Sequence, residues 1–215
     1  MNTLKCWNAR ATVAAGLVAL AGLVNFAVAA TDANSPAGEA PSIPGMTAED
    51  MQKFAAASTP GEMHKFLQKD VGNWRCKTTM WMSPDSEPMT SEGTSTAKSL
   101  MDGRFTQVEM NGEMPGMGPY HGIGIYGYDN VSKQFVSTWI DNMGTGMMTG
   151  VGELSDDGKA LTWEFTGNCP VAGKQITMRE VETTTGPNTK TLEMFGTPPH
   201  GGDEYKMMSI ELTRE

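Results

Sequence analysis

The sequence predicts a mainly β protein: an antiparallel meander of about ten strands behind a short N-terminal helical cap. Three observations carry this reading. From Trp74 onward, segments of about seven to ten residues alternate apolar and polar side chains, the period of a strand with one buried face. Turn signals split these segments at short, even intervals, so hairpins rather than helices connect them. Ahead of Trp74, two stretches carry helix-start chemistry instead.

The chain opens with Lys5 and Arg10, then the apolar run ATVAAGLVALAGLVNF and the small-residue pattern Ala27-Val28-Ala29. This reads as a signal peptide over 1–30, cleaved near Ala29 or Ala30, with a periplasmic or secreted product. A membrane anchor is the competing reading. The run falls short of the roughly 20 residues a spanning helix needs and has no stop-transfer flank, so no stable membrane insertion is expected. Residues 31–46, rich in Pro, Ala, Gly and Ser, read as a flexible linker.

The helical cap covers 47–72. Thr47 is the N-cap of a first helix whose apolar positions are Met51, Phe54 and Ala55. A second helix is expected to start at Thr59 as N-cap, with Pro60 at its first position and Glu62 closing a capping box. Met63, Phe66 and Leu67 form its stripe, and Gly72 ends it.

The β region covers 73–215. Its clearest strand is LTWEFTG, where Leu161, Trp163 and Phe165 face one way. The hairpin turns are read at 101–103 (MDG), 129–133 (DNVSK), 156–158 (DDG), Gly173 and 185–188 (TGPN), and EYKMMSIELTR closes the chain. Even spacing of this kind fits a barrel or a sandwich. The stretch GIGIYGYDN favours a curved wall. Ile123 and Ile125 share one face with His121, while Gly122, Gly124, Tyr126 and Tyr128 share the other. Glycine in a strand interior permits a bend and lets a ring or ligand approach the backbone. This hollow face fits either a wall around a cavity or one covered by the helices.

Several quoted segments resemble one family of bacterial proteins, domain-of-unknown-function family 1579. They are His64, Leu67, Gly72 and Trp74, then Asp-Gly-Arg-Phe at 102–105, GIGIYGYDN, WIDNMGTG and the terminal Leu-Thr-Arg at 212–214. The resemblance implies a lipocalin-like closed antiparallel β-barrel of about ten strands with a short helical lid. It leaves the function open, because the family carries no agreed activity.

Composition bounds the function. Loss of Lys5 and Arg10 with the leader takes the sixteen basic residues to fourteen against twenty-five acidic ones, a net charge of −11. Such a chain does not bind nucleic acid or anionic lipid by bulk electrostatics. No G-x-S-x-G elbow is present, and no local spacing joins Ser, Asp and the three histidines, so no catalytic residue is assigned. Cys76 and Cys169 remain after cleavage, an even pair in an oxidising compartment. A disulfide is expected, with two free thiols as the alternative.

The leading function is non-catalytic binding of a small apolar molecule. Its candidate ligand residues are Tyr126, Trp139, Arg104, Asp141, Gly122 and Gly124. Two rivals stand beside it. One is a metal site: copper on thioethers, with Met114 and Met117 as candidates among eighteen methionines, or haem on His121 or His200. The other is a filled barrel that is purely structural or binds a protein partner.

Overall fold

A computed structural model of the chain describes residues 43–215. The expected signal peptide and most of the expected linker lie outside the described residues. From Met46 onward the chain forms one compact unit. Two helices lead it, α1 (Ala48–Ser58) and α2 (Glu62–Gln68). Ten strands follow: β1 (Gly72–Met80), β2 (Met89–Leu100), β3 (Phe105–Met114), β4 (Gly118–Asp129), β5 (Gln134–Asp141), β6 (Met148–Leu154), β7 (Ala160–Cys169), β8 (Lys174–Gly186), β9 (Thr189–Gly196) and β10 (Tyr205–Arg214). Every strand pairs antiparallel with its neighbour in sequence, and β1 closes on β10, so the sheet is a complete barrel. Closure leaves no unpaired edge to template association with another chain.

The helices differ in what holds them. Thr47 caps α1 as its spacing requires, accepting from the Asp50 N–H while Asp50 accepts from the Thr47 N–H (3.0 Å). No α1 residue is buried. The helix is held from outside by Asn130, whose amide donates to Thr59 O (2.8 Å) and Ala57 O (3.1 Å). The second helix starts later than the capping pattern at Thr59 predicts. Thr59 instead ends α1, its hydroxyl donating to Ala55 O (2.6 Å). Gly61 becomes the N-cap of α2, and the His64 Nδ1 accepts its N–H (3.0 Å). Burial keeps His64 below its usual pKa, which leaves that nitrogen free to accept.

Helix α2 closes one end of the barrel. Leu67 is buried there, Phe66 packs edge-on to Phe135 (5.9 Å), and His64 meets Tyr128 (5.8 Å). The Gln68 amide donates to Phe105 O (3.2 Å) and Thr106 Oγ1 (2.9 Å). The joint between α2 and β1 is clamped by the C-terminus. Arg214 lies 4.2 Å from the Trp74 ring and donates to Val71 O (2.7 Å), while the Trp74 indole donates to Asp70 O (2.8 Å). Gly72, at φ +142, sits where a Cβ would come within 2.6 Å of the Arg214 guanidinium. A side chain there would push the clamp open.

The strand interiors obey the predicted parity. Trp163 is fully buried and meets Tyr126 (5.4 Å), Phe135 (6.2 Å) and Phe165 (5.8 Å). The expected disulfide is absent. Cys76 points into the barrel beside Trp74, Ile210 and Leu212, whereas Cys169 ends β7 and its sulfur accepts from the Ala172 N–H. Strands β8, β9 and β10 lie between them. At a strand spacing of about 4.8 Å, three intervening strands hold the Cα atoms well beyond the roughly 7 Å that a bridge allows.

Candidate functional site: an apolar cavity with a charged floor

The barrel encloses a cavity of about 440 Å³, within the range of small-molecule sites. Leu67 and Trp74 line it at the end closed by α2. The opposite end, where β1 stops and β2 and β10 begin, is a mouth rimmed by Met80, Met82, Met114, Met117 and Pro199. Nine of the eighteen methionines line this cavity. A register shift between Lys206 and Met208 explains one oddity: strict alternation would aim only one of the adjacent Met207 and Met208 inward, yet both line the cavity.

The face of β4 that carries Gly122, Gly124 and Tyr126 turns inward, a side the alternation alone left open. The hollow is filled from the next strand. Gly124 pairs directly with Trp139, and a Cβ on Gly124 would come within 2.6 Å of that indole. A Cβ on Gly122 would collide with the same ring. The two glycines therefore seat Trp139 and do not themselves line the cavity. Trp139 is fixed by donating to the Tyr120 hydroxyl (3.0 Å). Gly152 and Gly150 repeat the device, each pairing with an aromatic residue, Trp163 and Phe165.

Of the sequence-derived ligand candidates, Tyr126, Trp139 and Asp141 line the cavity. Asp141 is partly occupied, accepting from the Met143 N–H (2.9 Å). Arg104 lies at the closed end, outside the cavity, and its guanidinium donates to Met101 O (3.1 Å). Met114 and Met117 stand at the mouth. His121 is on the outer face, 3.0 Å from the Glu109 carboxylate. No histidine lines the cavity among the described residues, so the side chains present offer no imidazole to a haem inside it. The described residues also hold no group of three or more His, Cys, Asp or Glu arranged for a metal ion.

Sequence reasoning missed the polar floor. Lys190 lies between two carboxylates, 2.9 Å from Asp70 and 2.9 Å from Glu182, with its ammonium 5.4 Å from the Trp74 ring centre. These partners raise the Lys190 pKa against the opposing effect of burial. Burial and the neighbouring Asp70 keep Glu182 above the usual carboxylate range, with Lys190 opposing them. One residue pair toward the mouth, Glu180 is 5 % exposed and lines the cavity with no hydrogen-bond partner among the described residues. Burial first, and Glu182 second, push its pKa up to about 8. The Tyr126 hydroxyl, also raised by burial and by Glu180, stays protonated. The Trp163 indole N–H at the Glu180 pairing position has no acceptor among the described residues either.

The signal for this floor was present in the strands. Glu180 and Glu182 fall on the same parity as Met178, and Lys190 on that of Leu192 and Met194. A charge on the apolar parity of a strand marks an inward polar group.

A family model described as "Protein of unknown function (DUF1579)" matches residues 59–214. No curated protein matches the chain. Among solved structures, the crystal structure of Rv2717c from M. tuberculosis is similar, with a TM-score of 0.54 at 13 % identity, covering 73 % of this chain and 99 % of that one. A redesigned β-barrel aligns at a TM-score of 0.39 and 14 % identity, covering 72 % of this chain and 99 % of that one. At 13 % identity the likeness to Rv2717c speaks to fold alone.

Proposed function

The chain belongs to that family of unknown function, and from this starting point we propose that the barrel binds a small, largely apolar molecule without transforming it. The observation that carries the reading is the cavity itself: about 440 Å³, stopped at one end by Leu67, open at the other, and walled by aromatic and thioether side chains. Methionine suits such a wall because its unbranched, polarisable chain adapts to ligands of differing shape. Burying roughly 200 Å² of ligand at about 25 cal/mol per Å² yields about 5 kcal/mol before entropy losses. A polar anchor is then needed for tight binding, and the floor supplies candidates. With the leader read over residues 1–30, the protein acts outside the cytoplasm.

The test is a titration with Nile red, a neutral apolar dye. Saturable binding of one dye per chain, with blue-shifted emission, is expected. It should be lost in Ser91→Trp, which fills the mouth side of the cavity. Dye binding that is absent, or unchanged in Ser91→Trp, overturns the reading.

A copper site is the second reading, favoured by the thioethers gathered at the mouth, since soft sulfur ligands select Cu(I). Native mass spectrometry separates the two. An added organic mass supports the apolar ligand. One copper per chain, lost on changing Met114 and Met117 to Leu, supports the metal.

A further inference from the structure

The cavity has a strong charge bias that bears on ligand class. Six carboxyl groups line it, with Glu92 and Glu113 exposed at the rim, and among the described residues Lys190 is the one basic side chain that does so. Lys190 is already committed to Asp70 and Glu182. Among the described residues no arginine lines the cavity to receive a ligand carboxylate. A fatty acid or other apolar anion would therefore enter a field of its own sign.

Glu180 gives the bias a point of contact. The residue is 5 % exposed, it lines the cavity, and no donor among the described residues meets it. The groups around it are Glu182 on its own strand, Lys190 on β9, Tyr126 and Tyr120 on β4, and Asp70 at the α2–β1 joint. A buried carboxyl without a donor is costly to ionise, and a ligand cation at this spot would supply the missing countercharge. The faces of Tyr126 and Trp163, which line the same depth, add the aromatic surface that favours an alkylammonium over a neutral group.

We propose that the ligand is an apolar amine, bound with its ammonium against Glu180 and its hydrocarbon part toward the methionine mouth. The proposal rests on the binding reading above and specifies its substrate class. Binding ionises Glu180 and releases its proton to solvent. Amine affinity therefore rises with pH across the Glu180 titration, up to the range where the amine itself loses its proton.

The experiment is calorimetric titration of the full chain with decylamine, decanol and decanoate, three ligands sharing one tail. Decylamine should bind at least about tenfold tighter than decanol, and decanoate weakest. Decylamine affinity should rise from about pH 6 to about pH 8.5. Glu180→Gln mimics the protonated side chain, so the fold is retained. It should bring decylamine to within about threefold of decanol and abolish the pH dependence. Equal binding of amine and alcohol, or an amine preference that survives Glu180→Gln, overturns the amine proposal while leaving the apolar cavity standing. Decanoate binding tightest overturns it by sign. Failure of all three ligands together with Nile red overturns the cavity reading as well.

Discussion

At the closed end of the barrel Arg214 stacks on Trp74 and donates to Val71, Gln68 donates to Phe105 and Thr106, and Lys190 is held between Asp70 and Glu182. At the mouth the side chains at comparable depth are thioethers, Met80, Met114 and Met208 among them. Met82 and Met117 are more than half exposed there. The closed end is fixed by directional contacts that fail if one partner shifts. The mouth is made of side chains that repack cheaply. The contrast is physical: one end is held by directional polar contacts, the other by adaptable apolar side chains.

The comparison can be broken by mutation. The largest effect is expected from Trp74→Ala, which removes a buried ring, the platform for Arg214 and the indole bond to Asp70. It should cost about 4 kcal/mol in chemical denaturation. Lys190→Met comes next, at about 3 kcal/mol near neutral pH, because Asp70 and Glu182 are left facing each other unpaired. That loss should shrink in acid as the carboxyls take up protons, which unfolding curves at two pH values would reveal.

Glu180→Gln has the opposite sign. The folded pKa of about 8 lies above the ordinary value of 4.5, so the folded state holds the proton more tightly than the unfolded chain. That contribution is complete below the ordinary value and is lost as pH rises toward about 8. The Gln variant should match the parent in acid and exceed its stability by about 5 kcal/mol above about pH 8. Equal stabilities at high pH would mean that Glu180 is well solvated and not an anchor. The smallest effect belongs to the mouth: Met117→Leu should change stability by less than about 1 kcal/mol. If it costs as much as Trp74→Ala, the contrast between the two ends is false.

How much of this was legible in the chain can be followed residue by residue. The parity of GIGIYGYDN put Gly122, Gly124, Tyr126 and Tyr128 on one shared face without saying what that face meets, because alternation is a local property of a strand. Alternation also carried the strand count and the hairpin order. It did not reveal that Trp139 would fill the glycine hollow, since that depends on which residue of β5 pairs with Gly124. The capping signal at Thr59 misled for a similar reason. Both Thr59 and Gly61 could start α2, and Thr59 was instead used to end α1.

The class and the order of the strands were determined by the sequence alone, because hydrophobic period and turn chemistry act over a few residues. The cavity floor was decided only by closure of the barrel. Asp70 and Lys190 stand 120 positions apart, and they meet because β1 pairs with β10, and β10 with β9. The same closure parts Cys76 from Cys169 and leaves both as thiols. Long-range register cannot be read from local pattern, since each contact depends on the pairing of every strand between.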